Sequence, residues 1–135
     1  MMRSLLCGRV YSPVAGAIRR HSSQLSSAVM YTEHGDPCKI LKLTETQISA
    51  PKEGEVMVKM LASPINPADI NMIQGVYPIR PPVPAVGGNE GVGEVVETGP
   101  GVKGLKCGDW VVPGKSGWGT WRTHAVTSET DLLHV

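Results

Sequence analysis

Three glycines, Gly99, Gly101 and Gly104, satisfy the spacing G-x-G-x-x-G, which in one setting cradles the pyrophosphate of a dinucleotide. That setting is a strand followed at once by a helix whose amino end meets the phosphates. Here Leu105, Lys106, Cys107, Gly108 and Asp109 lead straight into the strand-like Trp110 to Val112, and Pro100 with its neighbouring glycines reads as a hairpin connection. The motif counts only in its strand-to-helix context, so these glycines are expected to turn the chain and not to hold a nucleotide. Metal chemistry has as little support. Cys7, Cys38 and Cys107 form no C-x-x-C pair, and His34, His124 and His134 stand at no metal-ligand spacing. The cysteines read as small apolar residues, the histidines as surface or turn residues, and Trp110, Trp118 and Trp121 as core or interface anchors.

The elements that must position any site are mostly short strands punctuated by Gly and Pro. Ala28 to Thr32, Lys39 to Leu43, Val56 to Ala62, Gly91 to Glu97, Trp110 to Val112 and Thr120 to Val126 are the candidates, and such spacing suggests a small barrel or sandwich. Val56, Val58 and Met60 alternate with Met57, Lys59 and Leu61, which predicts one well-buried face and one mixed face. One helix is expected over Pro67 to Gln74. Asn66 suits the N-cap, where its side chain can accept from an early helix amide, Pro67 suits the first helical position, Asp69 sets negative charge at the positive helix end, and Gly75 terminates it. The segment Val76 to Pro84 carries Pro78, Pro81, Pro82 and Pro84, which deny it ladder donors and make it a stiff, irregular loop.

The chain has 135 residues, 41% of them apolar, enough for one domain with a core. Its net charge of +1 hides an asymmetry, since Arg3, Arg9, Arg19 and Arg20 all precede the first acid, Glu33, and acids outnumber bases beyond it. A slightly acidic domain without a basic stripe gives no reason to expect nucleic acid as a partner. The Arg- and Ser-rich, acid-free opening has the composition of a mitochondrial import presequence, expected over residues 1–27, with the folded domain over 28–135. A tail with fortuitous arginines is the alternative reading. No stretch approaches the ~20 apolar residues that span a bilayer.

The run Gly87-Gly88-Asn89-Glu90-Gly91, with Gly93, Gly99, Gly101, Gly108 and Asp109, resembles the catalytic domain of the medium-chain dehydrogenase/reductase superfamily. The resemblance implies a mainly β, GroES-like, partly open barrel with a short helix. Zinc alcohol dehydrogenases of that superfamily carry His where Asn89 stands and Cys near Pro67, and Asn is a poor zinc ligand beside His or thiolate. The resemblance is therefore to the zinc-free branch and implies no zinc. Within it, the run from Pro64 to Tyr77, with Asn71-Met72-Ile73-Gln74-Gly75-Val76-Tyr77 at its end, is closer to the mitochondrial 2-enoyl thioester reductases than to the quinone oxidoreductases. Gly119 to Thr123, GTWRT, points the same way.

That resemblance implies NADPH-dependent reduction of a trans-2-enoyl thioester, carried on CoA or acyl-carrier protein, in the mitochondrial matrix, by an enzyme that is a homodimer at full length. It also implies that Tyr77 is the proton donor. A phenol, with a reference pKa of ~10, is protonated at neutral pH and can donate to a developing enolate; taken without the resemblance, Tyr77 reads as a packing residue against Pro78. Asn66 and Asp69 are candidates for shaping the pocket near the nicotinamide, although helix capping also accounts for them. Relatives continue past the point matching Val135 into a nucleotide-binding Rossmann domain, and no segment here supplies its strand–helix alternation. NADPH would thus be held mainly outside this chain, which alone is expected to be inactive. A GroES-like binding module without turnover and a quinone-oxidoreductase-like enzyme are the alternatives.

Overall fold

The structure is a computed structural model and describes residues 24–135. The reading of residues 1–27 as a leader falls almost wholly outside them. Eight strands run β1 (Gln24–Tyr31), β2 (Lys42–Ile48), β3 (Glu55–Ala62), β4 (Ala85–Val86), β5 (Val92–Thr98), β6 (Trp110–Pro113), β7 (His124–Ser128) and β8 (Leu132–His134), with helices α1 (Pro37–Ile40) and α2 (Pro67–Gln74). They form a sheet ordered β2-β1-β4 and a second ordered β7-β3-β5-β6-β8, antiparallel throughout. The sheets meet where Ala28 bridges Arg122, Val29 N donates to Trp121 O and Thr123 N donates to Ser27 O. This is the expected mainly β, partly open barrel.

The alternation in β3 produces the main core. Val56 and Val58 pack with Val95, Val111 and Leu132, and Met57 is buried on the other face, while Lys59 and Leu61 are exposed. Apolar area removed from water at ~25 cal/mol per Å² makes such enclosed valines the main source of stability. A second cluster, Tyr31, Ile73 and Ala85, joins α2 to the smaller sheet, with Ile40, Leu41 and Trp121 around it.

Helix α2 keeps its expected limits, but several strands differ. Asp36 accepts from Cys38 N and Pro37 takes the first helical position, so Pro37–Ile40 closes a single turn and β2 starts at Lys42 instead of Lys39. Thr120 and Trp121 spend their amides on Gly88 and Gly87, which delays β7 to His124. β1 starts at Gln24, four residues ahead of expectation, because Gln24 to Met30 all pair with β2. Ala85–Val86, directly after the expected proline loop, pairs with Met30 and Tyr31.

The Gly99–Gly104 segment is a strand connection. A Cβ on Gly99 would run into the Lys52 carbonyl, Gly101 has φ +76°, and the amides of Lys103 and Gly104 donate to the Glu129 carboxylate at 3.2 and 2.9 Å. An anion from the same chain already occupies those donors, and no helix follows.

The sheet junction carries a histidine whose pKa is shifted. Ser26 Oγ donates to His124 O at 2.7 Å and accepts from His124 N at 3.2 Å. Burial, and then the charge of Lys59, hold the imidazole below its ordinary 6.5. The unfolded chain therefore takes up the proton more readily, so stability is unaffected above about pH 6.5 and falls as pH drops through the folded pKa. Asp109 and Asp131, held below their ordinary 3.8 by hydrogen bonds from Lys106 and Lys115, act only at more acid pH. Urea midpoints should therefore decline as pH falls below about 6.5, and His124→Gln should flatten that decline. An unchanged slope would remove His124 as its source.

Candidate active site

Helix α2 is the positioning element. Asp69, 1% exposed at its first turn, accepts from Asn66 N at 2.7 Å with Oδ2 and from Asn89 N at 2.8 Å with Oδ1. One carboxylate thus ties the helix start to the Gly87–Gly91 loop, and its negative charge complements the helix dipole. Asn66 occupies the N-cap as expected and forms a capping box with Asp69; its Nδ2 also donates to Glu90 Oε2 at 3.1 Å, and its carbonyl accepts from Asp69 N.

The loop is locked from its other side too. Asn89 Oδ1 accepts from Gly117 N at 2.7 Å, Thr120 Oγ1 donates to Glu90 O at 2.8 Å, and Gly88 O accepts from both Gly119 N and Thr120 N. Trp121 and Thr120 lie where side chains on Gly87 and Gly88 would stand, so only glycine permits this approach. Between α2 and the loop lies a cleft lined by Tyr31, Asp69, Met72, Gly88 and Gly117, with room of about 10 Å³, which is about one water. Burial pushes the Tyr31 phenol pKa up. Sequence reasoning missed Tyr31, Glu90, Gly117 and Thr120; the Asn-Glu pair within a glycine run was the one available signal.

Tyr77 lies at the opposite end of α2. An eight-residue helix is ~12 Å long, and no hydrogen bond joins Tyr77 to Asn66 or Asp69. Tyr77 N and Val76 N both donate to Asn71 O, at 3.2 and 3.0 Å, after Gly75 ends the helix with φ +77°. Gly35 N and the His34 ring cap the Ile73 carbonyl. The side chain is half-buried, and its hydroxyl bonds to no other described residue, which leaves its proton available. The described residues hold no group of three or more His, Cys, Asp or Glu side chains arranged for a metal ion.

Replacing Asp69 with Asn keeps the shape but cannot present two acceptors to two loop amides. It should cost about 2–4 kcal/mol, read by urea unfolding, with the amides of Asn66 and Asn89 the first to gain hydrogen exchange. A cost below about 0.5 kcal/mol would show that the carboxylate is not the tie.

The chain is 56% identical over 108 residues to the mitochondrial enoyl-[acyl-carrier-protein] reductase of Rattus norvegicus, a match covering 80% of this chain and 29% of that protein. Among solved structures, the mitochondrial 2-enoyl thioester reductase Etr1p/Etr2p heterodimer from Candida tropicalis superposes with a TM-score of 0.79 at 42% identity, over 83% of this chain and 34% of that one. The Etr1p/NADP/crotonyl-CoA complex gives a TM-score of 0.78 at 41% identity, with the same coverage of 83% and 34%. This chain therefore spans about a third of the length of these relatives. Residues 52–135 match the family model of the alcohol dehydrogenase GroES-like domain, and with the glycine-locked, antiparallel barrel just described, the chain belongs to that family.

Proposed function

We propose that this chain is the catalytic-domain portion of a mitochondrial, NADPH-dependent 2-enoyl thioester reductase, in which Tyr77 donates the proton. The observation that carries the reading is the 56% identity over 108 residues to a mitochondrial enoyl-[acyl-carrier-protein] reductase. The likeness to a complex with NADP and crotonyl-CoA supports the cofactor and the enoyl thioester class of substrate, and the heterodimer among the solved relatives supports a two-subunit assembly, here a homodimer. The leader expected over residues 1–27 belongs to the same proposal; cleavage after residue 27 would take Gln24 to Ser27 from β1, whereas cleavage ahead of Gln24 would leave the strand whole.

The described residues do not by themselves fit the cofactor's pyrophosphate, because the Gly99–Gly104 connection opens no helix and Glu129 takes its amides. The proposal assigns the phosphates to the part of the longer relatives that this chain does not span. Reduced nicotinamide, held mainly by that other part, would supply hydride for the β-carbon of the enoyl group. What this chain contributes is the proton side of the reaction. Negative charge then builds on the thioester oxygen and the α-carbon, where a hydroxyl free of internal partners can first hydrogen-bond and then donate. The α2 carbonyl at Asn71 holds the Tyr77 backbone, so the phenol is presented from a fixed end of the helix.

In a protein extended to the full length of its relatives, Tyr77→Phe should lower kcat on the order of 10²- to 10⁴-fold with little change in substrate affinity or melting temperature. Tyr77→Ala should add a stability loss from missing contacts. Near-normal kcat in the Phe variant would make Tyr77 a packing residue. The same protein should carry only traces of zinc by metal analysis, since Asn89 Oδ1 is committed to Gly117 N; one tightly held zinc per chain would sink the zinc-free assignment.

A further inference from the structure

The carboxyl end of α2 is clasped from outside the helix. Between β1 and α1 the chain turns past that end, and two consecutive residues of the turn meet one carbonyl. Gly35 N donates to Ile73 O at 3.1 Å, and His34 Nδ1 stands 3.3 Å from the same oxygen. A carbonyl oxygen only accepts, so the ring nitrogen that bonds to it carries the proton, in the neutral and in the charged imidazole alike.

The remainder of the His34 side chain is used in packing. Its ring centre lies 5.8 Å from that of Tyr31, tilted by 55°, and Tyr31 is buried in the cluster that also holds Ile73. On its other side is Gly75. A Cβ on that glycine would stand 2.9 Å from His34 Cβ and 3.1 Å from His34 Cγ, so the imidazole closes the space beside it. Gly75 is where the chain leaves the helix, in a left-handed turn with φ +77°.

Satisfying the helix end does not account for this side chain. The Ile73 carbonyl already has the Gly35 amide, and His34 is an exposed residue, a class whose replacement changes stability little. What the imidazole adds is a wall against Gly75, the residue of widest conformational freedom in the segment. Tyr77 follows two residues later, and Val76 N and Tyr77 N share a single acceptor, Asn71 O. A rotation at Gly75 therefore carries the Tyr77 ring with it.

We propose that His34 is a positioning residue for Tyr77: by bonding to Ile73 O and packing against Gly75, it fixes the direction in which the chain leaves α2 and so the place of the phenol. The proposal rests on the reading of Tyr77 as proton donor.

Oxidation of NADPH with crotonyl-CoA is measured in the protein extended to the length of its relatives. His34→Ala should lower kcat on the order of tenfold, with KM and melting temperature nearly unchanged. His34→Asn, whose amide nitrogen stands as many bonds from the backbone as Nδ1 does, should recover most of that loss. In the Tyr77→Phe background, His34→Ala should lower kcat by no more than about twofold, because the group it acts through is gone. Hydrogen exchange followed by NMR on this chain alone gives a readout that needs no turnover: His34→Ala should speed exchange of the Val76 and Tyr77 amides on the order of tenfold, and His34→Asn should not. An extended parent protein that does not reduce crotonyl-CoA refutes the reductase reading, and the exchange measurement then decides the positioning role by itself. With an active parent, a kcat unchanged in His34→Ala, a loss that His34→Asn does not recover, or a loss that adds in full to that of Tyr77→Phe overturns the proposal. Exchange at Val76 and Tyr77 that His34→Ala leaves unmoved overturns it in either case.

Discussion

The buried carboxylate of Asp69 is the tie on which the rest of the candidate site depends. It takes two amides from positions twenty-three residues apart in sequence, Asn66 at 2.7 Å and Asn89 at 2.8 Å, with no ion pair to a cation among the described residues. Hydrogen bonds to a charged acceptor are about twice as strong as neutral ones, and in a buried setting neither amide has water as a substitute. Everything downstream follows from that junction. Asn89 is turned so that its carbonyl meets Gly117, the glycines beside it lie flat against Trp121 and Thr120, and the segment leading into β7 is fixed at both sheets. Helix α2 is short and only its buried face, Asp69, Met72 and Ile73, is anchored, so an eight-residue helix that would be marginal alone is stable because its ends are held.

Much of this was legible in the sequence where local rules decide. Asn66, Pro67, Asp69 and Gly75 mark the helix by capping and by the left-handed turn, and the observed limits coincide with those expected. The Gly99–Gly104 decoy was also legible, because the residues after it carry no helix pattern. The alternation in β3 predicted its buried and mixed faces. What local reasoning could not reach were decisions made by long-range partners. β4 is two residues long and exists because Met30 and Tyr31 pair with it. β7 starts late because Thr120 and Trp121 find better acceptors in Gly88 and Gly87. The Asn66 side chain also reaches Glu90, a contact that depends on a residue far along the chain.

The site itself was legible in part. Sequence reasoning singled out Asn66, Asp69 and Tyr77, and the structure brings the first two into one hydrogen-bonded unit while Tyr77 stands at the other end of the helix. Capping rules explain why Asp69 bonds to Asn66, but nothing in them reaches Asn89. The glycine run signalled close backbone approach without showing what approached, and Tyr31, an ordinary strand residue by pattern, lines the cleft only because β1 passes beneath α2.

The two ends of α2 carry different tasks. At the first turn Asp69 and two amides tie the helix start to the glycine loop, and the Asn89 carbonyl turns away to Gly117. At the other end the Tyr77 backbone is pinned to Asn71, the helix end beneath it is capped by Gly35 and His34, and its hydroxyl bonds to no other described residue. The proton-donor role proposed for Tyr77 would use that fixed end, so a tie made at the first turn would set the position of a group two turns away.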